Sequence, residues 1–248
     1  GVNDRKESEQ QFYDDAYLRD SAPSLNGFYE LSRGRGDYLQ RVLATEPGKH
    51  VLEYGCGMGG CAFDLAARGV IATGIDISAS AIERANEKAK AYPAGSLTFR
   101  KADAEALPFE DASFDVICGS GILHHLDIGR AVAEIRRVLK PAGRAIFYEP
   151  LAYNPAARLY RVLTPGSHTP DEHPLTREDL DWLRSNLGRV SFDFYDFFAV
   201  GAIPFLRLPL GENLLRWSEK LDRALFGKLP AARHWAAAIV IDSTAAAA

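Results

Sequence analysis

The chain has 248 residues, a formal net charge of -4, 47% hydrophobic residues and 25% charged residues. This composition is typical of a globular protein with one α/β domain and an added element. No basic cluster offsets the acidic balance, which argues against nucleic acid as a partner. A polar start and the lack of a long uncharged apolar stretch predict neither a signal peptide nor an integral membrane segment. Three cysteines without a CxxC pair indicate free thiols, and we expect a cytoplasmic protein.

Two segments with apolar residues at helical spacing, 7–18 and 29–43, precede the first predicted strand. Short apolar strands then alternate with amphipathic helices. The predicted strands are 51–54, 71–75, 97–101, 114–119 and 144–148, and the predicted helices are 61–68, 78–91 and 128–138. Alternation of this length predicts a parallel, doubly wound sheet.

The pattern changes after residue 150, where prolines become frequent over 151–211. The aromatic run 192–198 has two interpretations: an edge strand of the sheet, or a wall over an apolar substrate. Residues 214–225 return to helical spacing, and 236–241 predict a last strand. We therefore expect an insertion between the fifth strand and an antiparallel edge strand.

A glycine-rich turn, residues 55–60, directly follows the apolar strand that ends at Glu53 and Tyr54. Glycines allow a ligand close to the backbone, and the following helix offers free N–H groups. The next strand ends in a second acid, Asp76. Two acids at the ends of neighbouring strands, with this turn between them, indicate a site for an adenosine-containing cofactor.

Nicotinamide dehydrogenases use nearly the same turn. Residues further along the chain must therefore distinguish a nicotinamide cofactor from another adenosine-containing cofactor. After the third strand, Asp103 can accept a hydrogen bond from an adenine amine, and Ala104 can present its backbone N–H. Residues 121–126 form a turn at the carboxyl end of the fourth strand, where ligands bind in open α/β sheets.

With these motifs in order, the chain resembles the class I S-adenosylmethionine-dependent methyltransferases, in the small-molecule branch related to the ubiquinone and menaquinone methylases. The resemblance covers about residues 51–148. It implies a Rossmann-like fold, mostly parallel with an antiparallel edge strand. It also implies S-adenosyl-L-methionine as cofactor and S-adenosyl-L-homocysteine as product. The family's Lys-Pro-Gly-Gly turn appears as Lys140-Pro141-Ala142-Gly143, a mild departure.

The resemblance also assigns the cofactor residues. Glu53 is expected near the methionine part, Asp76 at the ribose hydroxyls and Ile77 against adenine. The remaining assignments are Gly55, Cys56 and Gly57 under the cofactor, Asp103 and Ala104 at the adenine edge, Gly119 and His124 beside the sulfonium, and Tyr13, Tyr17 or Tyr29 as a closing aromatic residue.

The expected chemistry is direct displacement at the activated methyl, which needs a base only for an acceptor of high pKa. The tentative catalytic residues are His124, His168 and His173. His124 is either a base or part of the pocket wall, and its neighbour His125 is a weaker candidate. No metal is expected, because the spacing of histidines and acids in 166–174 does not imply ligand geometry. Arg161, with Arg158, either grips an anionic substrate group or lies on a surface helix.

We divide the chain into a helical cap (1–48), a cofactor-binding core (49–150), a substrate-binding insertion (151–213) and a helix and strand that complete the sheet (214–248). The predicted function is methyl transfer to oxygen or carbon of a small, largely apolar or aromatic metabolite. We expect a role in biosynthesis, with secondary metabolism as one option. A substrate drawn from a membrane surface is one option. The alternatives are a cofactor-binding module without transferase activity and a nicotinamide-dependent oxidoreductase. The oligomeric state stays open.

Overall fold

The computed structural model describes residues 2–18, 32–93, 95–164, 172–202, 205 and 208–245. Two residues predicted to act in the site, Tyr29 and His168, lie outside this part of the chain.

Seven strands and the helices that connect them make up the described fold. The strands are β1 (His50–Tyr54), β2 (Ile71–Asp76), β3 (Leu97–Lys101), β4 (Phe114–Ser120), β5 (Leu139–Pro150), β6 (Arg189–Tyr195) and β7 (Ala238–Thr244). The helices are α1 (Val2–Leu18), α2 (Arg33–Leu43), α3 (Ala62–Ala67), α4 (Ala79–Ala89), α5 (Ile128–Val138), α6 (Pro155–Leu163), α7 (Arg177–Asn186), α8 (Ala199–Ala202) and α9 (Gly211–Lys228). Short 3-10 turns cover Leu123–His125 and Pro230–Trp235.

The strands form one sheet in the order β3-β2-β1-β4-β5-β7-β6. Strands β1 to β5 pair in parallel, and β7 runs antiparallel to both β5 and β6. The predicted doubly wound, mostly parallel fold with an antiparallel edge is confirmed.

The sheet is buried on both faces. Leu52 and Tyr54 of β1 pack into one hydrophobic cluster, while Val51 packs into another. Successive side chains of a strand point to opposite faces, so helices cover this sheet on both sides. That coverage explains why the strands are near-continuously apolar in the sequence.

Most predicted boundaries agree to within a few residues. Ser78 caps α4, because its side chain accepts a hydrogen bond from the Ala81 N–H at 3.1 Å. The predicted fifth strand starts too late: β5 already pairs with β4 at Leu139, before a register shift. The turn residue Ala142, with φ 58°, lies inside this strand. The last strand starts two residues later than predicted, since Ala236 and Ala237 are buried apolar residues that precede it.

The aromatic run contributes to β6, the outermost strand beside β7, so the edge-strand interpretation is confirmed for 192–195. The strand ends at Tyr195, and the next residue, Asp196, has a φ of 66°. The segment 151–213 therefore contains part of the sheet as well as α6, α7 and α8. Among the described helices, none combines the length and apolar character that a membrane span needs.

Candidate active site

A cavity of about 560 Å³ opens at the carboxyl ends of β1, β2 and β4. This position follows from the topology, because the ends of parallel strands meet at one edge and their loops diverge there. Helix α1 and α6 add side chains to its walls. The predicted residues among those lining it are Tyr13, Tyr17, Glu53, Gly55, Cys56, Gly57, Asp76, Ile77, Asp103, Ala104, His124, His125 and Arg161.

The glycine turn forms the floor of the cavity in a conformation that side chains rarely adopt. Gly55 and Gly57 have φ values of 60° and 50°. A Cβ atom on Gly57 would lie 2.5 Å from Oη of Tyr17, and one on Gly60 would lie 2.0 Å from Oε1 of Glu53. Glycine is therefore required both for the backbone conformation and for the space above it.

Glu53 is buried beneath this turn. Its carboxylate accepts hydrogen bonds from the backbone N–H groups of Cys61 at 2.8 Å and Ala62 at 2.9 Å. Burial raises the pKa of Glu53 to about 7, although these two N–H groups act in the opposite direction. Glu53 thus holds the turn in place and also lines the cavity.

Asp76 ties the end of β2 to the same turn. It accepts hydrogen bonds from the N–H groups of Gly57 at 2.8 Å and Ser78 at 2.9 Å. Burial raises its pKa above the usual range for aspartate, against the effect of these bonds. A carboxylate has about four acceptor positions, so it can still accept bonds from a ligand's hydroxyl groups.

The loop after β3 is engaged by basic residues of α1. Asp103 accepts from the Glu105 N–H at 2.9 Å and from Nζ of Lys6 at 2.7 Å. Lys6 and Arg5 also pair with the buried Glu105. These ion pairs hold α1 across the cavity.

Aromatic residues of α1 face the cavity, and Asp14 fixes the helix above the loop after β2. Asp14 accepts from Oγ of Ser78 at 2.6 Å. Tyr13 and Tyr17 both line the cavity, and Oη of Tyr13 lies 3.3 Å from Nε2 of His125. Two of the three predicted closing aromatics are therefore positioned to cover a ligand.

His124 lies between two carboxylates on the opposite side of the cavity. Its Nδ1 is 2.8 Å from Oε2 of Glu149, and its Nε2 is 3.6 Å from Oε1 of Glu172. Burial alone would lower the pKa of His124, but the two acids raise it to about 9. The imidazole is therefore protonated at neutral pH in this arrangement, and it must lose that proton before it can act as a base.

Glu149 orients His124 through backbone contacts as well. Its other oxygen accepts from the N–H groups of Ile122 at 3.0 Å and Leu123 at 2.9 Å. Three bonds to one buried carboxylate fix the 3-10 turn that carries His124.

The pKa of His125 is shifted in the opposite direction to that of His124, although the centroids of the two rings are only 4.1 Å apart. Burial lowers the pKa of His125, and the positive charge on His124 lowers it further. The nearest acid is Glu9 of α1, with Oε1 at 3.3 Å from Nδ1 of His125. One histidine is thus charged and the other neutral.

Two predicted site residues, Gly119 and His173, are not among the described residues that line the cavity. Gly119 packs inside the sheet, where a Cβ atom would meet Ile122 at 2.7 Å and Phe147 at 2.9 Å. Ser120 lies at the wall in its place. The imidazole of His173 is also absent from the described wall, and its backbone N–H donates to the His124 carbonyl at 3.1 Å.

The sequence did not indicate Glu9 or Glu149 as site residues. Glu149 carried a usable signal, since it directly ends a buried strand on the edge that bears the other acids. Glu172 belongs to the unusual segment 166–174 but was not singled out there. Glu9 carried no signal, because nothing local places the first helix across the sheet.

Residues 52–147 match a family model described as a methyltransferase domain. Over these residues the chain is similar to methyltransferase domains. The match confirms the family predicted from the sequence, whose cofactor is S-adenosyl-L-methionine.

Curated relatives align with the methyltransferase domain. The 27-O-demethylrifamycin SV methyltransferase of Amycolatopsis mediterranei is 42% identical over 111 residues, which are 44% of this chain and 41% of that protein. The ubiquinone/menaquinone biosynthesis C-methyltransferase UbiE of Geotalea daltonii is 31% identical over 153 residues, 53% of this chain and 65% of that protein. The chain spans about half the length of the curated relatives it matches.

Solved structures share the fold over nearly the whole chain. A phosphoethanolamine N-methyltransferase of Haemonchus contortus, in complex with S-adenosylhomocysteine, superposes with a TM-score of 0.68 and 16% identity, covering 96% of this chain and 60% of that one. The [4+2]-cyclase SpnF superposes with a TM-score of 0.59 and 19% identity, covering 86% and 80%. At these identities the likeness concerns the fold alone.

Proposed function

We propose that the chain transfers a methyl group from S-adenosyl-L-methionine to oxygen or carbon of a small, largely apolar or aromatic acceptor. The observation that carries the proposal is one cavity whose walls hold the glycine turn and Asp76, and also His124, whose Nδ1 is paired with Glu149. The glycine turn and Asp76 suit a nucleoside cofactor. His124 and Glu149 suit the reacting group of an acceptor.

The cofactor side fits S-adenosyl-L-methionine by its donor set and by its shape. Gly57 allows Tyr17 to approach the turn closely, since a Cβ atom there would lie 2.5 Å from Oη of Tyr17. Asp76 would accept from the ribose hydroxyls, and Glu53 would complement the cofactor's ammonium group. When bound, the cofactor supplies a methyl group on a positively charged sulfur. Tyr13 and Tyr17 would cover it and exclude water.

The acceptor side combines aromatic walls with a group of polar side chains around His124. Tyr148 and Ile122 line the cavity, and α6 contributes Tyr160 and Arg161. We place the acceptor's reacting group beside His124, because Glu149 pairs with Nδ1 and fixes the ring. Arg161, which lies 3.8 Å from Glu172, would hold an anionic substituent.

An apolar acceptor is also supported by the exposed surface of α6, the helix that contributes Tyr160 and Arg161 to the cavity. On this helix Val162 and Leu163 are 75% and 70% exposed. Large exposed apolar residues of this kind suit the entry of an apolar molecule, including one taken from a membrane surface.

The cofactor assignment is tested by calorimetric titration with S-adenosylhomocysteine. We expect clear binding by the unmodified chain and a 10- to 100-fold weaker affinity for Asp76→Ala, which corresponds to about 1–3 kcal/mol. Asp64→Ala is the matched control, because Asp64 lies exposed on α3. Absence of binding by the unmodified chain would overturn the proposal.

Transfer itself is tested with methyl-labelled cofactor and a panel of apolar hydroxylated and quinone-type acceptors. Labelled product with any acceptor separates the transferase from a cofactor-binding module. The distinction matters because a protein of the same fold is a cyclase.

A further inference from the structure

Two imidazoles and one carboxylate converge beside the acceptor wall. One ligand atom from each of His124, His125 and Glu172 lies within 4.8 Å of the other two. The two histidine side chains are 6% and 5% exposed, and that of Glu172 is 5% exposed. The group is therefore buried, unlike the acidic clusters that are common on protein surfaces.

The distances approach those of ligands around a common ion. Two ligand atoms about 2.1 Å from one transition metal lie roughly 3.0–3.4 Å apart at tetrahedral or octahedral angles. Nε2 of His124 and Oε1 of Glu172 are 3.6 Å apart. Small side-chain movements would bring the pair onto one ion.

An outer carboxylate supports the same arrangement. Glu149 accepts from Nδ1 of His124, which leaves Nε2 as the ligand atom and raises its basicity. This carboxylate–histidine pairing is a regular partner of metal-bound imidazole.

The charge balance supplies a second, independent observation. Three carboxylates, those of Glu9, Glu149 and Glu172, lie 2.8–3.6 Å from the two imidazoles. Oε1 of Glu9 is buried and makes no hydrogen bond of acceptable geometry with the described residues. Arg161 offsets only part of the excess negative charge, so a further cation would be stabilised here.

We propose that His124, His125 and Glu172 bind a divalent transition-metal cation that holds the oxygen of a hydroxylated acceptor for methylation. Imidazole ligands favour Zn²⁺, Cu²⁺, Fe²⁺ or Ni²⁺ over Mg²⁺, Ca²⁺ and Mn²⁺. Three protein ligands leave coordination positions open toward the cavity that all three residues line.

The inference rests on the proposed function and specifies how the acceptor is activated. A cation lowers the pKa of a hydroxyl that contacts it. The acceptor releases its proton to water, its oxygen bonds to the methyl carbon, and the carbon–sulfur bond breaks with its electron pair going to sulfur. No oxidant or reductant is needed.

The test uses the full chain without a histidine tag, freed of metal with a chelator. Calorimetric titration with ZnCl₂ gives stoichiometry and affinity, and titration with CoCl₂ gives visible absorption that reports nitrogen coordination. We expect one ion per chain. Glu172→Gln and His124→Gln should each weaken binding at least tenfold, while His50→Gln, an exposed residue at the start of β1, should bind as the unmodified chain does.

Circular dichroism establishes that each variant is folded, and His125→Gln replaces His124→Gln if that variant does not fold. Absence of saturable binding would overturn the inference, as would unchanged affinity in the ligand variants. S-adenosylhomocysteine binding is measured on the same samples. If that ligand binds and no metal does, the metal site fails and the methyl-transfer proposal stands; if neither S-adenosylhomocysteine nor any methyl transfer is detected, the proposed function fails.

Discussion

The two sides of the cavity are built in different ways. On the cofactor side, the acid, the glycine turn and the second acid lie within residues 53–76, on two strands that pair directly. On the acceptor side, Glu9, His124, Glu149 and Glu172 come from α1, the turn after β4, the end of β5 and the chain before α7. The first side is a local motif, whereas the second exists only once the whole sheet and its covering helices have assembled.

This difference suggests a division of roles. A local turn with fixed backbone bonds suits a cofactor that stays the same, because its geometry depends on few other elements. Side chains delivered from separate elements can change one at a time, which suits variation in the acceptor. Substitutions on the two sides should therefore affect different steps.

The largest effect is expected from Gly60→Ala on the cofactor side. The added Cβ would lie 2.0 Å from Oε1 of Glu53, and the φ of 40° strains any side chain there. Because Glu53 holds the turn through Cys61 and Ala62, the turn itself should shift. We expect S-adenosylhomocysteine affinity, measured by calorimetry, to fall at least 100-fold, or about 3 kcal/mol.

Gly36→Ala is the matched control, since a Cβ on this α2 glycine meets nothing within 4 Å. It should leave affinity unchanged and stabilise the helix by up to about 1 kcal/mol. Equal affinities for the two variants would show that the turn tolerates a side chain and that the cofactor binds elsewhere.

A smaller and more selective effect is expected from Glu149→Gln on the acceptor side. The amide keeps the size of the side chain but loses the charge that orients His124 at 2.8 Å. We expect kcat to fall about 10- to 100-fold, the usual cost of losing such a supporting carboxylate. The affinity for S-adenosylhomocysteine should change less than threefold. A parallel loss of cofactor affinity would contradict the separation of the two sides.

The same separation explains what the sequence could predict. The mostly parallel sheet and the cofactor-side candidates follow from local signals: apolar runs, a glycine turn and an acid at the end of a strand. Asp76 and Glu53 were predicted this way, and both line the cavity. Glu9 could not be, because its place opposite His125 depends on α1 crossing the sheet, and no periodicity encodes that crossing.

Gly119 lies outside the described wall of the cavity for a related reason. Its position at the end of β4 predicted a cofactor contact, but the space beside it is filled by Ile122 and Phe147 from other elements. Glycine permits either a ligand or a side chain to approach, and the sequence alone does not tell which one does. For the aromatic run 192–198, the sequence left two interpretations open, an apolar wall and an edge strand. Both have the same alternating aromatic pattern, so the pattern could not decide between them.

The smallest effect is expected from pH, acting through Glu53. Burial raises the pKa of Glu53 to about 7, so the carboxylate is ionised only above that pH. The ionised form complements the cofactor's ammonium group, and affinity should therefore rise as pH rises through 7. Between pH 6 and pH 7.5 we expect a five- to tenfold gain in S-adenosylhomocysteine affinity, the range that a single titrating group allows.

Glu53→Gln tests whether this residue is the source of the pH dependence. The variant should bind more weakly at pH 7.5 and show a flat profile, because the amide does not titrate. Stability should change in the opposite direction: a carboxyl group with a raised folded-state pKa stabilises the native chain at low pH and loses that contribution as pH rises to about 7. The unmodified chain should therefore gain affinity and lose stability over the same interval, and Glu53→Gln should reduce both changes. A pH profile that survives in this variant would assign the titration to another acid, of which the buried Asp76 is the nearest in role.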